Sequence, residues 1–96
     1  MEFKGTKQKW IISTNNEEGV LISTHPMSRD ICTVWKYDND FLENQESNAN
    51  ALLMSKAPEM LEMLDRLVEL TKSDNIEMPK FIKEEIEQLI KEATEL

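Results

Sequence analysis

Apolar and polar positions alternate along three short runs in the first third of the chain, a pattern typical of half-buried β-strands. The runs cover residues 9–14, 20–24 and 31–37 and are rich in β-branched and aromatic residues. Polar residues separate the first two runs, so we expect a hairpin in which Gly19 adopts a positive φ. In the third run, one predicted face carries Ile31, Thr33, Trp35 and Tyr37, and the other carries Cys32, Val34 and Lys36.

From residue 47 onward the apolar positions recur with the period of an α-helix. Pro58 and Pro79 interrupt this pattern, and each is suited to the first turn of a new helix, where its missing N–H costs nothing. The polar residues 37–46 form either a loop or a first helical turn. Helices are therefore predicted near residues 47–57, 58–72 and 79–95.

The order of these elements predicts an α+β fold, with a small three-stranded antiparallel sheet followed by two or three packed helices. The 96 residues are expected to form a single domain, with a β-meander over residues 1–37 and a helical part over residues 47–96. The predicted helix at 58–72 is apolar over half its circumference, and so short a chain has few elements to cover it. We therefore expect a homo-oligomer, most simply a two-fold dimer.

Charge is distributed unevenly along the chain, which has a formal net charge of −8 at pH 7. Residues 1–36 hold five basic and four acidic residues, whereas residues 37–96 hold six basic and fifteen acidic ones. This acidic excess disfavours direct binding to nucleic acids, because phosphates are repelled. The acidic half is either a solvated helical surface or a surface for a basic partner, including one that normally binds nucleic acid.

Residues suited to catalysis or metal binding are few. Cys32 and His25 are the only cysteine and histidine, which excludes an internal disulfide and a conventional structural zinc site. Cys32 lies within a predicted strand, where a free cysteine is usually a small buried hydrophobe. The two glycines do not form a glycine-rich phosphate loop. We therefore expect a protein that is not an enzyme and has no catalytic residues, no bound metal and no cofactor.

Aromatic and basic side chains in the N-terminal third form a candidate ligand-binding set. An indole face can stack on a base, and a cationic side chain can bind phosphate through charge-assisted hydrogen bonds. The same tryptophans could instead belong to the core or to a hot spot of a protein interface. The candidate nucleotide-binding residues are Trp10, Arg29, Trp35 and Lys36.

Acidic side chains on the second predicted helix form a candidate partner-binding set. Their i, i+3 and i+7 spacing places them along one exposed stripe of the helix. Such a row of carboxylates can occupy a basic groove of a partner protein, although it loses hydration when it does so. The set comprises Glu62, Asp65 and Glu69.

Residues 47–64 read S-N-A-N-A-L-L-M-S-K-A-P-E-M-L-E-M-L. This segment resembles the motif E-A-N-A-x-L-I-A-A-A-P-E-L-L-E-A-L, which recurs in short bacteriophage and prophage proteins, often after two or three predicted strands. The shared core is N-A-x-L at residues 50–53 and A-P-E-x-L at residues 57–61, whereas the usual acidic residue before it is absent and methionine replaces three apolar residues. The resemblance implies a phage origin. It also implies helix packing, not catalysis, as the role of Ala49, Asn50, Ala51 and Pro58.

Phage proteins of this size without catalytic motifs commonly act by stoichiometric binding. The resemblance therefore favours an anti-defence factor that inhibits a host immune protein, as anti-CRISPR proteins do. The alternatives are an oligomeric sponge that sequesters a cyclic nucleotide immune signal, and a phage structural or accessory protein. No apolar run exceeds four residues, so we expect no signal peptide, no membrane partner and a location in the host cell cytoplasm.

Overall fold

The computed structural model describes residues 3–26, 29–36, 41–73 and 76–95. Within these ranges three strands precede three helices, which confirms the predicted α+β fold class. The chain divides into two compact units, one over Gln8–Pro58 and one that combines Met1–Lys7 with Glu59–Leu96. Tyr37, which was expected to continue the third strand, lies outside the described residues.

The first unit is built around a three-stranded antiparallel sheet in the order β1-β2-β3. The central strand is buried along most of its length, and its Val20 and Ile22 are fully inaccessible. Both are β-branched residues, which pack well on a pleated surface. The strands are β1 (Lys9–Asn15), β2 (Gly19–His25) and β3 (Asp30–Trp35), close to the three predicted runs.

The turn between β1 and β2 is held by Asn16. Its side-chain oxygen accepts hydrogen bonds from the backbone amides of Glu18 at 2.9 Å and Gly19 at 3.2 Å. An asparagine side chain used in this way closes a turn without requiring a left-handed residue. Gly19 has no positive φ, so that part of the prediction is wrong. Glycine is needed there for space instead, because a Cβ would lie 2.7 Å from the Val34 carbonyl oxygen.

A bulge in β3 changes which side chains reach the core. The register of β3 against β2 shifts between Ile22 and Ser23, which makes Ile31 an extra residue in β3. An extra residue interrupts the alternation of faces along a strand. Ile31 therefore packs against the core together with Cys32 and Val34, and its predicted place on the opposite face is wrong.

The first helix, α1 (Phe41–Ser55), begins ahead of the predicted start near residue 47, so residues 41–46 are helical, which was one of the two alternatives for this segment. Residues 41–46 include leucine, glutamate and glutamine, which favour helices, but they lack the apolar periodicity on which the prediction relied. The buried face of α1 consists of small side chains, namely Ser47, Ala51 and Ser55. The Ser47 hydroxyl donates a hydrogen bond of 3.0 Å to the Trp35 carbonyl, which fixes α1 to the end of β3.

The core of the first unit joins α1 to the sheet. Val20, Ile22 and Ala51 are buried in mutual contact, and four half-buried side chains pack around them. The small side chain of Ala51 lets the helix backbone approach the sheet closely, as dense packing requires. The surrounding residues are Trp10, Ile31, Cys32 and Val34. Three large apolar residues of α1 are exposed by contrast, namely Leu52, Leu53 and Met54.

The second unit contains most of α2 (Ala57–Lys72) and α3 (Lys80–Thr94), near the bounds that the periodicity predicts. Val68 on α2 and Ile90 on α3 are buried, with 4% and 8% of their surface exposed. Pro79 precedes α3, and its carbonyl accepts hydrogen bonds of 3.1 Å from the amides of Ile82 and Lys83. None of the helices described has the length and hydropathy that a bilayer-spanning helix needs.

Candidate partner-binding groove

The two tryptophans of the candidate ligand set lie on opposite faces of the sheet. Trp10 pairs with Thr24 across β1 and β2, and Trp35 pairs with Gly19 across β2 and β3. Paired residues share a face, and residues an odd number of positions apart on β2 point to opposite faces. Trp10 accordingly packs against the core, whereas Trp35 is 60% exposed.

The two cations of that set lie at opposite ends of the sheet. The backbone amide of Arg29 donates to the Thr24 hydroxyl at 3.0 Å, and the Thr24 amide donates to the Arg29 carbonyl at 2.9 Å. Lys36 is tied to the other end, where its amide donates to the Glu18 carbonyl at 3.0 Å and its ammonium donates to Asn15 Oδ1. These ends are separated by about 16 Å, at about 3.3 Å per residue of β2.

The structure therefore does not bring the four candidate ligand residues together. It places Trp10 and Arg29 on either side of Thr24, and it places Trp35 next to Lys36 at the end of β3. A base-and-phosphate site built from one tryptophan and both cations would have to span the sheet. Whether either pair binds a ligand stays a prediction.

A groove of about 320 Å³ lies between α2 and α3. Two apolar residues line it, Val68 and Ile90, but both are already buried within the chain and expose little surface to the groove. Most of the other lining residues are charged. The lining residues are Asp65, Val68, Glu69 and Lys72 from α2, and Glu87, Ile90, Lys91, Thr94 and Glu95 from α3 and the residue after it.

The rim of the groove is acidic. Its four carboxylates, from Asp65, Glu69, Glu87 and Glu95, outnumber the ammonium groups of Lys72 and Lys91, which gives a formal charge of −2. Glu69 pairs with Lys72 at 3.4 Å, and both side chains are more than half exposed. The other three carboxylates make no ion pair within the part of the chain that the structure describes. They are available to an incoming cation.

The structure divides the candidate partner-binding residues. Asp65 and Glu69 line the groove, and Asp65 is half-buried there, whereas Glu62 is exposed on α2 and does not line it. Sequence reasoning missed the α3 side, with Glu87 and Ile90. The lining residues repeat at i, i+3, i+4 and i+7 on both helices, which places each group along one helical ridge, but this spacing alone does not tell which ridges face each other.

Cys32 and His25 have environments that differ from those of activated catalytic groups. Cys32 pairs with Ile22 on β2 and packs against the core. Burial raises the pKa of the Cys32 thiol above its ordinary value, which disfavours the nucleophilic thiolate. His25 is exposed at the end of β2. Among the described ranges, no group of three or more histidine, cysteine or acidic side chains is arranged to hold a metal ion.

Comparison with known proteins places the chain in a phage family. No curated protein and no solved structure is significantly similar to it. The model of the family described as Salmonella phage P22 protein Y8K6 matches residues 1–95. This match covers the sheet and the helices that form the groove. The chain therefore belongs to the family of the Salmonella phage P22 protein Y8K6.

Proposed function

We propose that this phage protein is a non-enzymatic anti-defence factor that inhibits a host immune protein by stoichiometric binding. The observation that carries the proposal is the acidic groove between α2 and α3, which has three carboxylates free of ion pairs among the described residues. Complementary charges across an interface steer the encounter and select the partner. A host protein with a basic surface for nucleic acid has the complementary charge.

The acidic rim also bears on the alternative proposals. A cyclic nucleotide would be repelled by the groove, and the residues that could bind base and phosphate are spread over two faces and two ends of the sheet. A nucleotide sponge therefore has less support than a protein inhibitor. A structural or accessory role in the phage particle is separated from both by the experiment below.

Binding without turnover is supported by the position of the two candidate nucleophilic and basic groups. Cys32 is partly buried against the core of the first unit, and this burial raises its thiol pKa. Efficient covalent catalysis requires a nucleophile with a lowered pKa or an adjacent base. The residue of β2 that pairs with Cys32 is Ile22. His25 lies further along β2, so strand pairing does not bring it beside Cys32.

We expect host cells that express the chain to become susceptible to a phage that one of their defence systems otherwise restricts. Plating efficiency of a restricted phage is measured on matched strains, each with one defence system and with or without the expressed chain. Restoration of plating in one strain, with co-purification of one defence protein in equimolar amount, is the expected result. Cys32→Ala and His25→Ala should retain the effect. Dependence on either residue in a folded variant would favour an enzyme.

Three other results would contradict the proposal, and two of them come from further measurements on the same chain. Calorimetric binding of a cyclic di- or trinucleotide without a protein partner would establish the sponge. Location of the chain in purified phage particles without any change in plating would establish a structural role. Unchanged plating on every strain would refute the proposal that the chain inhibits a host immune protein.

We further propose that the protein acts as a homo-oligomer in the host cell cytoplasm. The support is the large apolar side chains that remain exposed on all three helices. A specific dimer buries roughly 800 Å² on each partner, and exposed apolar residues are the usual means of reaching that area. These side chains are Leu52, Leu53, Met54, Met60, Met63, Phe81 and Leu89.

We expect light scattering to give a mass above that of the monomer at micromolar concentration. The double variant Leu52→Lys/Leu53→Lys should shift the mass to the monomer, because two charges would enter an apolar interface. Asn50→Lys is the matched control, since Asn50 is exposed on the same helix. A monomeric wild-type chain would refute self-association, and an unchanged mass in the double variant would exclude this face.

A further inference from the structure

We infer that two copies of the chain pack through the outer face of α1, with the two helices antiparallel about a two-fold axis near Leu52 and Leu53. The occupant of this face is therefore a second copy of this chain. The inference rests on the proposed self-association, and it names the surface and the arrangement through which the copies meet.

An apolar stripe lies on the side of α1 away from the sheet. The buried face of the helix consists of small side chains, so its large side chains are left for another contact. The stripe follows the spacing i, i+3, i+4 and i+7, which places its members on one face. Leu52 and Leu53 at its centre are 55% and 60% exposed. Its members are Ala49, Leu52, Leu53 and, directly after the helix, Lys56, all of them exposed.

The stripe lies in a stretch of the chain without charge. Residues 47–55 carry no charged side chain, although 31% of all residues are charged. Two copies that each carry a formal net charge of −8 repel each other, and they approach most easily where no carboxylates are brought together. Depletion of charged residues also distinguishes the centre of a protein interface. The stripe therefore suits a second copy of this acidic chain.

The two ends of the stripe carry opposite charges, from Glu46 and Lys56. Both side chains are exposed, and neither forms an ion pair within the part of the chain that the structure describes. They lie about 15 Å apart along one helix, so they cannot pair within one chain. A face with an acid at one end and a base at the other is complementary to itself when two copies pack antiparallel.

Antiparallel packing brings these opposite charges together. With the two-fold axis between Leu52 and Leu53, Lys56 of each copy lies opposite Ala49 of the other. Glu46 lies three residues before Ala49, which is about 4.5 Å along the helix and within reach of a lysine side chain. The small Ala49 leaves room for the aliphatic stem of that lysine. Two symmetric ion pairs therefore border a centre formed by four leucine side chains.

The length of the stripe limits the strength of the dimer. From Gln45, one turn before Ala49, to Lys56 it measures about 16 Å, at 1.5 Å per residue. A helix pair of this length buries less than the roughly 1,200 Å² at which standard interfaces begin. Small interfaces of this class are transient, so we expect a dissociation constant in the micromolar range and a mass that depends on concentration.

Cysteine cross-linking tests the arrangement in a Cys32→Ala background. Leu53→Cys should form an intermolecular disulfide under mild oxidation, because antiparallel packing brings position 53 beside its counterpart. Gln45→Cys should not, since it lies on the same face but about 22 Å along the helix from its counterpart. Asn50→Cys, exposed to the side of the stripe, controls for random collision. Gel electrophoresis without reductant measures the dimer, and circular dichroism verifies the fold.

Exchange of the two end charges provides a second test, in the chain with its native cysteine. Glu46→Lys or Lys56→Glu alone should weaken the dimer about threefold to tenfold, because like charges replace both ion pairs. The combined variant Glu46→Lys/Lys56→Glu should return to within about twofold of the original dissociation constant, since both pairs form again with reversed sign. Analytical ultracentrifugation measures these constants. Restoration requires a contact between copies, because the two positions cannot meet within one chain.

Three results would overturn the inference. These are equal cross-linking of Leu53→Cys and Asn50→Cys, cross-linking of Gln45→Cys as strong as that of Leu53→Cys, which indicates parallel packing, and a combined charge variant as weak as the single ones. The proposed self-association fails by a different result, a monomeric wild-type chain, which refutes both. If the wild-type chain is a dimer and Leu53→Cys does not cross-link, the homo-oligomer stands and this inference does not.

Discussion

Replacing Ile22 by alanine is expected to lower the free energy of unfolding by about 2–5 kcal/mol. Ile22 is fully buried on the central strand, between the outer strands and Ala51 of α1. Truncation removes apolar contacts on every side and leaves a cavity that a sheet can close only partly. For a chain of this size, such a loss is a large fraction of the total stability. Urea denaturation followed by circular dichroism measures it.

Ile12→Ala is the matched control for this experiment. Ile12 pairs directly with Ile22 on the same face of the sheet but is 36% exposed at the edge strand. Its truncation should cost about 1 kcal/mol or less, because little enclosed volume is created. Equal losses in the two variants would show that the core is not centred on β2 and α1, and would contradict the packing described above.

Reversing the charge of the groove should abolish partner binding. In the double variant Asp65→Lys/Glu69→Lys, four cationic and two acidic side chains would line the rim, so a basic partner would be repelled. We expect an affinity loss of at least about a hundredfold, measured by calorimetry with the co-purified defence protein, and loss of the phage plating effect. If the folded variant kept its affinity for the defence protein and its effect on phage plating, binding through this groove would be contradicted.

Single substitutions distinguish the groove from the stripe predicted on α2. Glu87→Lys should weaken binding strongly, because Glu87 lines the groove from α3, whereas Glu62→Lys should have a smaller effect. The opposite ranking would assign binding to the stripe of Glu62, Asp65 and Glu69 that the sequence predicts on α2. Glu85→Lys controls for net charge, since Glu85 is exposed on α3 and does not line the groove.

The elements that the sequence predicts well are those in which local pattern and tertiary burial coincide. β2 is buried on both faces and is bounded by turn residues, and α2 and α3 carry sustained helical periodicity after proline. The beginning of α1 stayed open between a loop and a first helical turn, because residues 41–46 favour a helix by propensity alone. The packing face of α1 gives no apolar periodicity to recognise, since Ser47, Ala51 and Ser55 are buried whereas Leu52, Leu53 and Met54 are exposed.

The candidate site was predicted only in part, because it depends on which helix faces meet. The spacing along α2 correctly places Asp65 and Glu69 on neighbouring turns, but no local pattern identifies Glu87 as their counterpart on α3. The four candidate ligand-binding residues do not lie together in the structure, for a related reason. Strand register assigns Trp10 and Trp35 to opposite faces, and that register is set by pairing with β2 rather than by either strand alone.

The tight approach of β3 to Gly19 has a consequence for the evolution of the family. Any larger residue at this position would meet the Val34 carbonyl oxygen at 2.7 Å and the Thr33 methyl group at 2.9 Å. A homologue with alanine here must therefore hold β2 and β3 slightly further apart at this end of the sheet, because the carbonyl oxygen belongs to the backbone and cannot turn away as a side chain can. Position 19 thus reports, in any divergent relative, whether β2 and β3 still approach each other this closely.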